Sequence, residues 1–321
     1  MKHADETCRK EGPDLKRIFV DGSAGTTGLN IVERLNGRAD IELIRLPEAQ
    51  RKDPDARKAM MNEADVVFFC LPDAAAREAA EWVENPATVI IDTSTAHRVA
   101  PGWVYGFPEL PGQRERIRAS KRIANPGCHA SGVIALLQPL TAGGLLSPDQ
   151  TVTCFSLTGY SGGGRQMIAD YEAPQREPLL EAPRMYGLGQ QHKHLPEMQR
   201  YAGLAQAPLF CPIVAPYYAG MEVCVPLGRR QLNADKAAVE ACYRAAYPGG
   251  VIRFRPGASE NGFLSAGAFA GQDSMEITVQ GSEDRLLLVA RFDNLGKGAC
   301  GAAIQNMNLL TGADEFTGLV V

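Results

Sequence analysis

Apolar and polar positions in the N-terminal half of the chain alternate between two periods. Ile18 to Val20 form a short apolar run, a turn of small residues follows, and Leu29, Ile31, Val32 and Leu35 then recur at helical spacing. "IELIRL" (41–46), "ADVVFFCLP" (64–72) and "ATVIIDTSTAHR" (87–98) supply three further strands. The last two are almost continuously apolar, as parallel strands buried on both faces are, where a half-exposed strand would alternate. Polar residues collect where these strands end: Asp73 after one, Thr93, Ser94 and Thr95 after the other. The pattern predicts an α/β, doubly wound domain whose ligand lies at the strands' carboxyl ends.

From residue 128 the pattern changes. Val133, Ile134, Leu136, Leu137 and Leu140 mark one buried helix. "YAGMEVCVPLG" (218–228) and "SMEITVQG" (274–281) read as strands of a second sheet and as a candidate subunit interface. A dense Gly/Ala segment at 296–303, before "IQNMNLL", suits a helix packed closely against the first domain's glycine turn, with Asn306 as a candidate nicotinamide contact; a plain packing helix would look the same.

Composition narrows the classes. With 321 residues, 45% hydrophobic and 22% charged, the chain can bury a full core as two domains or one large one. A net charge of -4 gives no electrostatic case for nucleic acid or anionic lipid, while phosphate-bearing small molecules stay open. No apolar run of about 18 residues is present to cross a membrane. Residues 1–15 mix both charge signs without an apolar stretch and read as a loose tail, neither signal peptide nor anchor. The eight cysteines lack any Cys-x-x-Cys pair or Cys/His cluster, which argues against a metal site and for free thiols in a reducing cytoplasm.

The turn "DGSAGTTGL" carries Gly22, Ala24, Gly25, Thr26, Thr27 and Gly28 between strand and helix. Its glycines admit a phosphate close to the backbone, and the helix start offers free N–H groups, although G-x-x-G-x-x-G departs from the usual dinucleotide fingerprint. Arg45, with Arg51 and Lys52 nearby, stands where an acidic ribose reader would, so the cofactor leans to NADP; a solvated basic loop would use the same residues. Cys128 follows Asn125-Pro126-Gly127 at a helix start, where the dipole favours a thiolate nucleophile. A thiolate beside a nicotinamide points to exchange of hydride through a thioester, and that chemistry needs a proton donor. Of five histidines, His3 lies in the tail, His97 reads as surface loop and His129 as pocket lining. His192 and His194 remain as acid/base candidates, unresolved between them. In "SLTGYSGGGRQM" a glycine-rich loop offers Ser161, Gly162, Gly163 and Gly164 as an anion or oxyanion cradle, with Arg165 as charge partner.

These residues carry a resemblance. "DGSAGTTGL", "ANPGCHASG", "TGYSGGGRQM", "HKHLPEM" and "NLGKGACGAAIQNMNLL" cover nearly all of 17–312 in order, and the chain resembles the N-acetyl-gamma-glutamyl-phosphate reductases in their shorter form, within the semialdehyde dehydrogenase superfamily. The resemblance implies a Rossmann-type NADP-binding domain over 16–127 and a mixed α+β catalytic and oligomerisation domain over 128–295. It implies also a C-terminal helix, within 296–321, that returns to the first domain. It implies Cys128 as nucleophile, a histidine of the His-x-His-x-Pro-Glu segment, and NADPH-dependent reduction of N-acetyl-glutamyl phosphate to the semialdehyde plus phosphate, in arginine biosynthesis. The partner is then a small acyl phosphate, and the assembly a homo-oligomer, dimer or tetramer. Rival readings are an aspartyl- or aminoadipyl-type reductase, a non-catalytic NADP sensor, and a thiol hydrolase without cofactor. Two departures stand out: His129-Ala130-Ser131 replaces aromatic, any residue, Thr after the nucleophile, and Arg165 stands where Lys is expected.

Overall fold

The computed structural model describes residues 15–321, so the expected tail, with Cys8 and His3, lies outside the described residues save for Leu15. The first sheet is parallel throughout, in the order β2-β1-β3-β4-β6-β5, with β1 at Lys16–Asp21, β2 at Ile41–Ile44, β3 at Val66–Phe69, β4 at Val89–Asp92, β5 at Val104–Tyr105 and β6 at Arg122–Ala124. Helices α1 (Thr26–Leu35), α2 (Pro54–Glu63), α3 (Asp73–Trp82) and α4 (Gln113–Ala119) flank it. Every residue of β3 and β4 is buried, which is why these strands lack polar alternation.

The second domain opens with α5 (Cys128–Ala142), which is buried nearly all round and forms the domain's centre. Pro139 sits inside this helix, and its missing N–H leaves the carbonyl of Ala135 without a helical donor; the hydroxyl of Tyr247 supplies one at 2.8 Å. The segment read as one glycine-rich loop divides into β7 (Thr153–Gly159), a single 3-10 turn, and α6 (Gly164–Glu172). There follow β8 (Arg184–Met185), α7 (Leu195–Ala202), β9 (Leu209–Ala215), β10 (Met221–Gly228), α8 (Lys236–Ala246), β11 (Ile252–Phe254), β12 (Met275–Gly281) and β13 (Arg285–Phe292). They build a mixed sheet ordered β11-β12-β13-β10-β7-β9-β8. Its inner face, with Val223, Val225 and Phe292, packs on α5 so closely that a Cβ at Gly132 would lie 2.5 Å from Val223.

A π-helical turn at Gly296–Cys300 leads into α9 (Gly301–Thr311). Ala303, Ile304, Met307 and Leu309 of α9 join Ile18, Ile31 and Phe68 in the first domain's core. The last helix therefore completes a core begun nearly 300 residues earlier in the chain, which holds the two domains against a shared cleft.

Candidate active site

β6 delivers the chain through Asn125-Pro126-Gly127 to Cys128, the first residue of α5. No side chain caps this helix and its first turn holds no acid, so its leading amides are free for a ligand. The turn is held from outside. Glu197, in the first turn of α7, accepts the N–H of Gly127 at 3.1 Å, the hydroxyl of Tyr105 at 2.6 Å and Nη1 of Arg98 at 2.6 Å. Arg98 also donates to the carbonyls of Asn125 at 3.0 Å and Thr93 at 3.1 Å, so one guanidinium ties the ends of β4 and β6 to α7. Gly127 is required here: a Cβ would lie 2.3 Å from Arg98 Nη1 and 2.6 Å from both Glu197 Oε1 and His194 Nε2. On the other side, a Cβ at Gly298 would lie 2.9 Å from that of Cys128.

Cys128 opens into a cleft of about 360 Å³ shared with Arg98, His192, Lys193, His194 and Tyr186. Ser161, Gly162 and Gly163 line its far wall, Ser161 fixed by Asn294 Nδ2 at 2.9 Å. Thr26, Thr27, Thr93, Arg98 and Lys193 also line an adjoining cleft of about 560 Å³, which reaches Gly25 and Ser94. Ser94 is held by Asp92, which accepts its N–H at 2.9 Å and its hydroxyl at 2.8 Å. Beyond the glycine turn lies a third cavity of about 420 Å³, where Gly22 and Ala24 meet Arg45, Arg51 and Lys52.

The titration of the site differs from the expectation. Burial pushes the Cys128 thiol up to about 11, and Arg98, the His129 amide and Lys193 offset only part of this. The helix start is present, yet desolvation of the thiolate outweighs it. Burial also lowers His129 to about 3 and His192 to about 4, and holds His194 well below its usual value, with Arg98 adding to the last two. All three imidazoles are therefore neutral near pH 7. His129 spends both nitrogens on hydroxyls, Ser156 at 2.7 Å and Tyr186 at 2.7 Å, which leaves it no free lone pair for the thiol. His192 Nδ1 accepts the N–H of His194 at 3.2 Å, so its proton sits on Nε2. His194 Nδ1 is buried and has no partner among the described residues.

Three residues are placed otherwise than the sequence suggested. Arg165 does not line the Cys128 cleft; Gly164, at φ +77, turns the chain so that Arg165 donates to the carbonyl of Ala24 at 3.1 Å and faces the glycine turn. Asn306 lines none of the three cavities; it lies wholly buried on α9, donating to Gly106 at 2.9 Å and Asn125 at 3.3 Å. His97 is no surface loop residue: it is buried, with Nδ1 2.6 Å from Asp92 and its ring stacked 3.9 Å from that of Trp103. Arg98, Lys193, Glu197 and Tyr186 were not singled out from the sequence. The available signals were slight: a cation just past the polar end of β4, and the acid and cation within "HKHLPEM".

Residues 17–120 match the semialdehyde dehydrogenase NAD binding domain, and residues 128–294 the semialdehyde dehydrogenase dimerisation domain. The chain is 44% identical over 313 residues to N-acetyl-gamma-glutamyl-phosphate reductase 2 of Pseudomonas putida, covering 94% of this chain and 98% of that one. It is 46% identical over 306 residues to the N-acetyl-gamma-glutamyl-phosphate reductase of Brucella ovis, covering 92% and 99%. The chain belongs to the N-acetyl-gamma-glutamyl-phosphate reductase family. Among solved structures it is similar to aspartate semialdehyde dehydrogenase II of Vibrio cholerae, with TM-score 0.71 at 17% identity over 93% of this chain and 99% of that one, a likeness of fold.

This member of the reductase family has a turn that fits a nicotinamide dinucleotide. Gly22 adopts φ +82, and a Cβ there would lie 2.3 Å from the carbonyl of Cys70; one at Gly28 would lie 2.4 Å from that of Gly22. A Cβ at Gly25 would meet only the carbonyls of Gly22 at 3.5 Å and Cys70 at 4.0 Å, and α1 has neither a side-chain cap nor an acid in its first turn, so its amides are available to a diphosphate. For the reductase in its free form, the raised thiol sets a pH dependence. Below the thiol's pKa the thiolate fraction rises about tenfold per pH unit. Inactivation by iodoacetamide will therefore keep accelerating from pH 7 to pH 10; a plateau below pH 8 would show that the helix start, and not burial, governs Cys128.

Proposed function

We propose that this chain reduces N-acetyl-gamma-glutamyl phosphate to the corresponding semialdehyde, with release of phosphate, through a thioester on Cys128 and with NADPH as the electron source. The observation that supports it is the convergence of Cys128, the neutral His192 and His194, and the cations Arg98 and Lys193 on one cleft that adjoins the glycine turn. An acyl phosphate is already activated, so the protein must supply a nucleophile, a proton path and an anion site. Sγ of Cys128 bonds to the acyl carbon while its proton passes to His194, whose ring lines the same cleft with Nε2 on the side of Gly127. Amides at the start of α5 face the developing oxyanion. The bond from the acyl carbon to the phosphate oxygen then breaks, and phosphate leaves beside Arg98 and Lys193, taking the proton from His194. The cofactor, when bound, supplies a hydride to the acyl carbon. The C–S bond then breaks to release aldehyde, and the Cys128 thiolate regains a proton taken up from solvent and relayed through His194 or through Nε2 of His192. A thiol that is neutral at rest fits this order, because its proton is needed by the leaving phosphate.

The 2′-phosphate that separates NADP from NAD is read by Arg45 and Lys52, which have no ion-pair partner among the described residues, while Arg51 pairs with Glu48 at 2.7 Å. We assign residues 16–127 and 296–321 to cofactor binding, and 128–295 to catalysis and assembly in a cytoplasmic homo-oligomer. The outer face of the second sheet suits the interface. Phe155 lies between Cys211 and Cys224 in register and is 39% exposed, with Leu209 at 51% and Leu287 at 43% on the same face. No helix among the described residues is long and apolar enough to cross a membrane.

The direct test runs the reaction backwards, following phosphate-dependent reduction of NADP by N-acetylglutamate semialdehyde with aspartate semialdehyde alongside. Turnover with the acetylated aldehyde is expected to dominate. Preference for aspartate semialdehyde, or silence with both while NADPH still binds, would sink the reading.

A further inference from the structure

Arg165 occupies the first turn of α6, a position where the helix dipole favours an anion and disfavours a cation. It forms no ion pair with any described residue and is exposed, and its one hydrogen bond goes to the carbonyl of Ala24, inside the glycine turn of the other domain. The cleft it lines is bounded on the opposite side by Gly25, Thr26 and Thr27. The first turns of α1 and α6 both line this one gap, and neither helix has a side-chain cap or an acid there. Gly164 makes this aim possible: its φ of +77 is a left-handed conformation that a side chain would strain, and nothing lies within 4 Å to require glycine for space.

A cation left at the wrong end of a helix, facing free amides across a cleft, lacks only a bridging anion. We propose that Arg165, carried by the catalytic domain, closes on the diphosphate of the bound dinucleotide from the side opposite the α1 amides, so that both domains hold the same cofactor. This inference rests on the nicotinamide dinucleotide reading and moves Arg165 from the acyl phosphate to the cofactor. Its guanidinium can surrender the Ala24 carbonyl, a neutral acceptor, for charge-assisted bonds to diphosphate oxygens.

Calorimetric titration of the full chain with NADPH, and separately with adenosine 2′-monophosphate, tests the assignment. The second ligand keeps the adenosine and the 2′-phosphate but carries no diphosphate. Arg165→Met should weaken NADPH about tenfold and leave the monophosphate unchanged, with Arg165→Lys between the two because it keeps charge without the fork. The residue is exposed, so melting temperatures should match the parent. Unchanged NADPH affinity in Arg165→Met overturns the proposal, and so does equal weakening of both ligands. Unchanged affinity together with a raised KM for phosphate would return Arg165 to the substrate. A parent protein that binds no NADPH would instead break the cofactor reading on its own.

Discussion

Cys128→Ala will lower turnover in either direction by on the order of 10⁴-fold or more, while NADPH affinity and melting temperature stay near those of the parent. The loss follows from the division of labour in the cleft. Arg98, Lys193 and the α5 amides can still bind the acyl phosphate, but without sulfur no thioester forms. The remaining groups would then have to bring hydride onto a carbon that still bears its phosphate. Alanine keeps the Cβ that packs beside Gly298, and the sulfur opens on the cleft, so the fold has little to lose. Single-turnover kinetics and a melting curve on the same preparation check both halves. Turnover within tenfold of the parent would remove the nucleophile from the proposed reaction, and a large drop in melting temperature would show that Cys128 is structural.

β3 and β4 of the first sheet were legible because burial on both faces leaves no polar alternation, and β1, β3 and β4 fall where "RIFV", "VVFF" and "VIID" stand, whereas β5 and β6, of two and three residues, are too short to leave a pattern and were not read as strands. The glycine turn was legible for a similar reason, since close backbone approach leaves glycine in the sequence at Gly22 and Gly28. β7 was hidden because its small and polar residues run into the glycines at 162–164, so that strand, turn and helix read as one loop. The position of Cys128 could be inferred from Pro126-Gly127 and the apolar helix behind it. Its titration could not, because desolvation depends on β6, α7 and the 296–300 turn closing around it. Arg98 and Glu197 were invisible for a more general reason. Charged residues are solvated far more often than buried, and only the tertiary arrangement shows each as the other's counter-ion. The same holds for Arg165, whose charge was legible and whose target was not, because one positive φ at Gly164 decides which cleft it faces.

Arg98→Met will destabilise the fold by roughly 3–5 kcal/mol, seen as melting roughly 10 °C lower, and will abolish most activity. Both Arg98 and Glu197 are more than nine-tenths buried, at 7% and 1% exposure, so removing one leaves the other charged and unpaired in a site that water cannot repair. Glu197→Gln should cost a similar amount for the same reason, even though glutamine's carbonyl can still accept from Tyr105 or Gly127. The double variant Arg98→Met/Glu197→Gln is the informative one. It removes both charges at once, so its melting temperature should recover well above the sum of the two single losses. Turnover should not recover with it, because the cation that faces the leaving phosphate is gone whatever becomes of Glu197. Strict additivity of the melting shifts would mean that the two side chains do not depend on each other, and the bracing of Gly127 by Glu197 would lose its basis. Recovery of both stability and turnover would mean that Arg98 serves only to neutralise Glu197. In that case Lys193, exposed at the mouth of both clefts, would be the cation left to receive the phosphate.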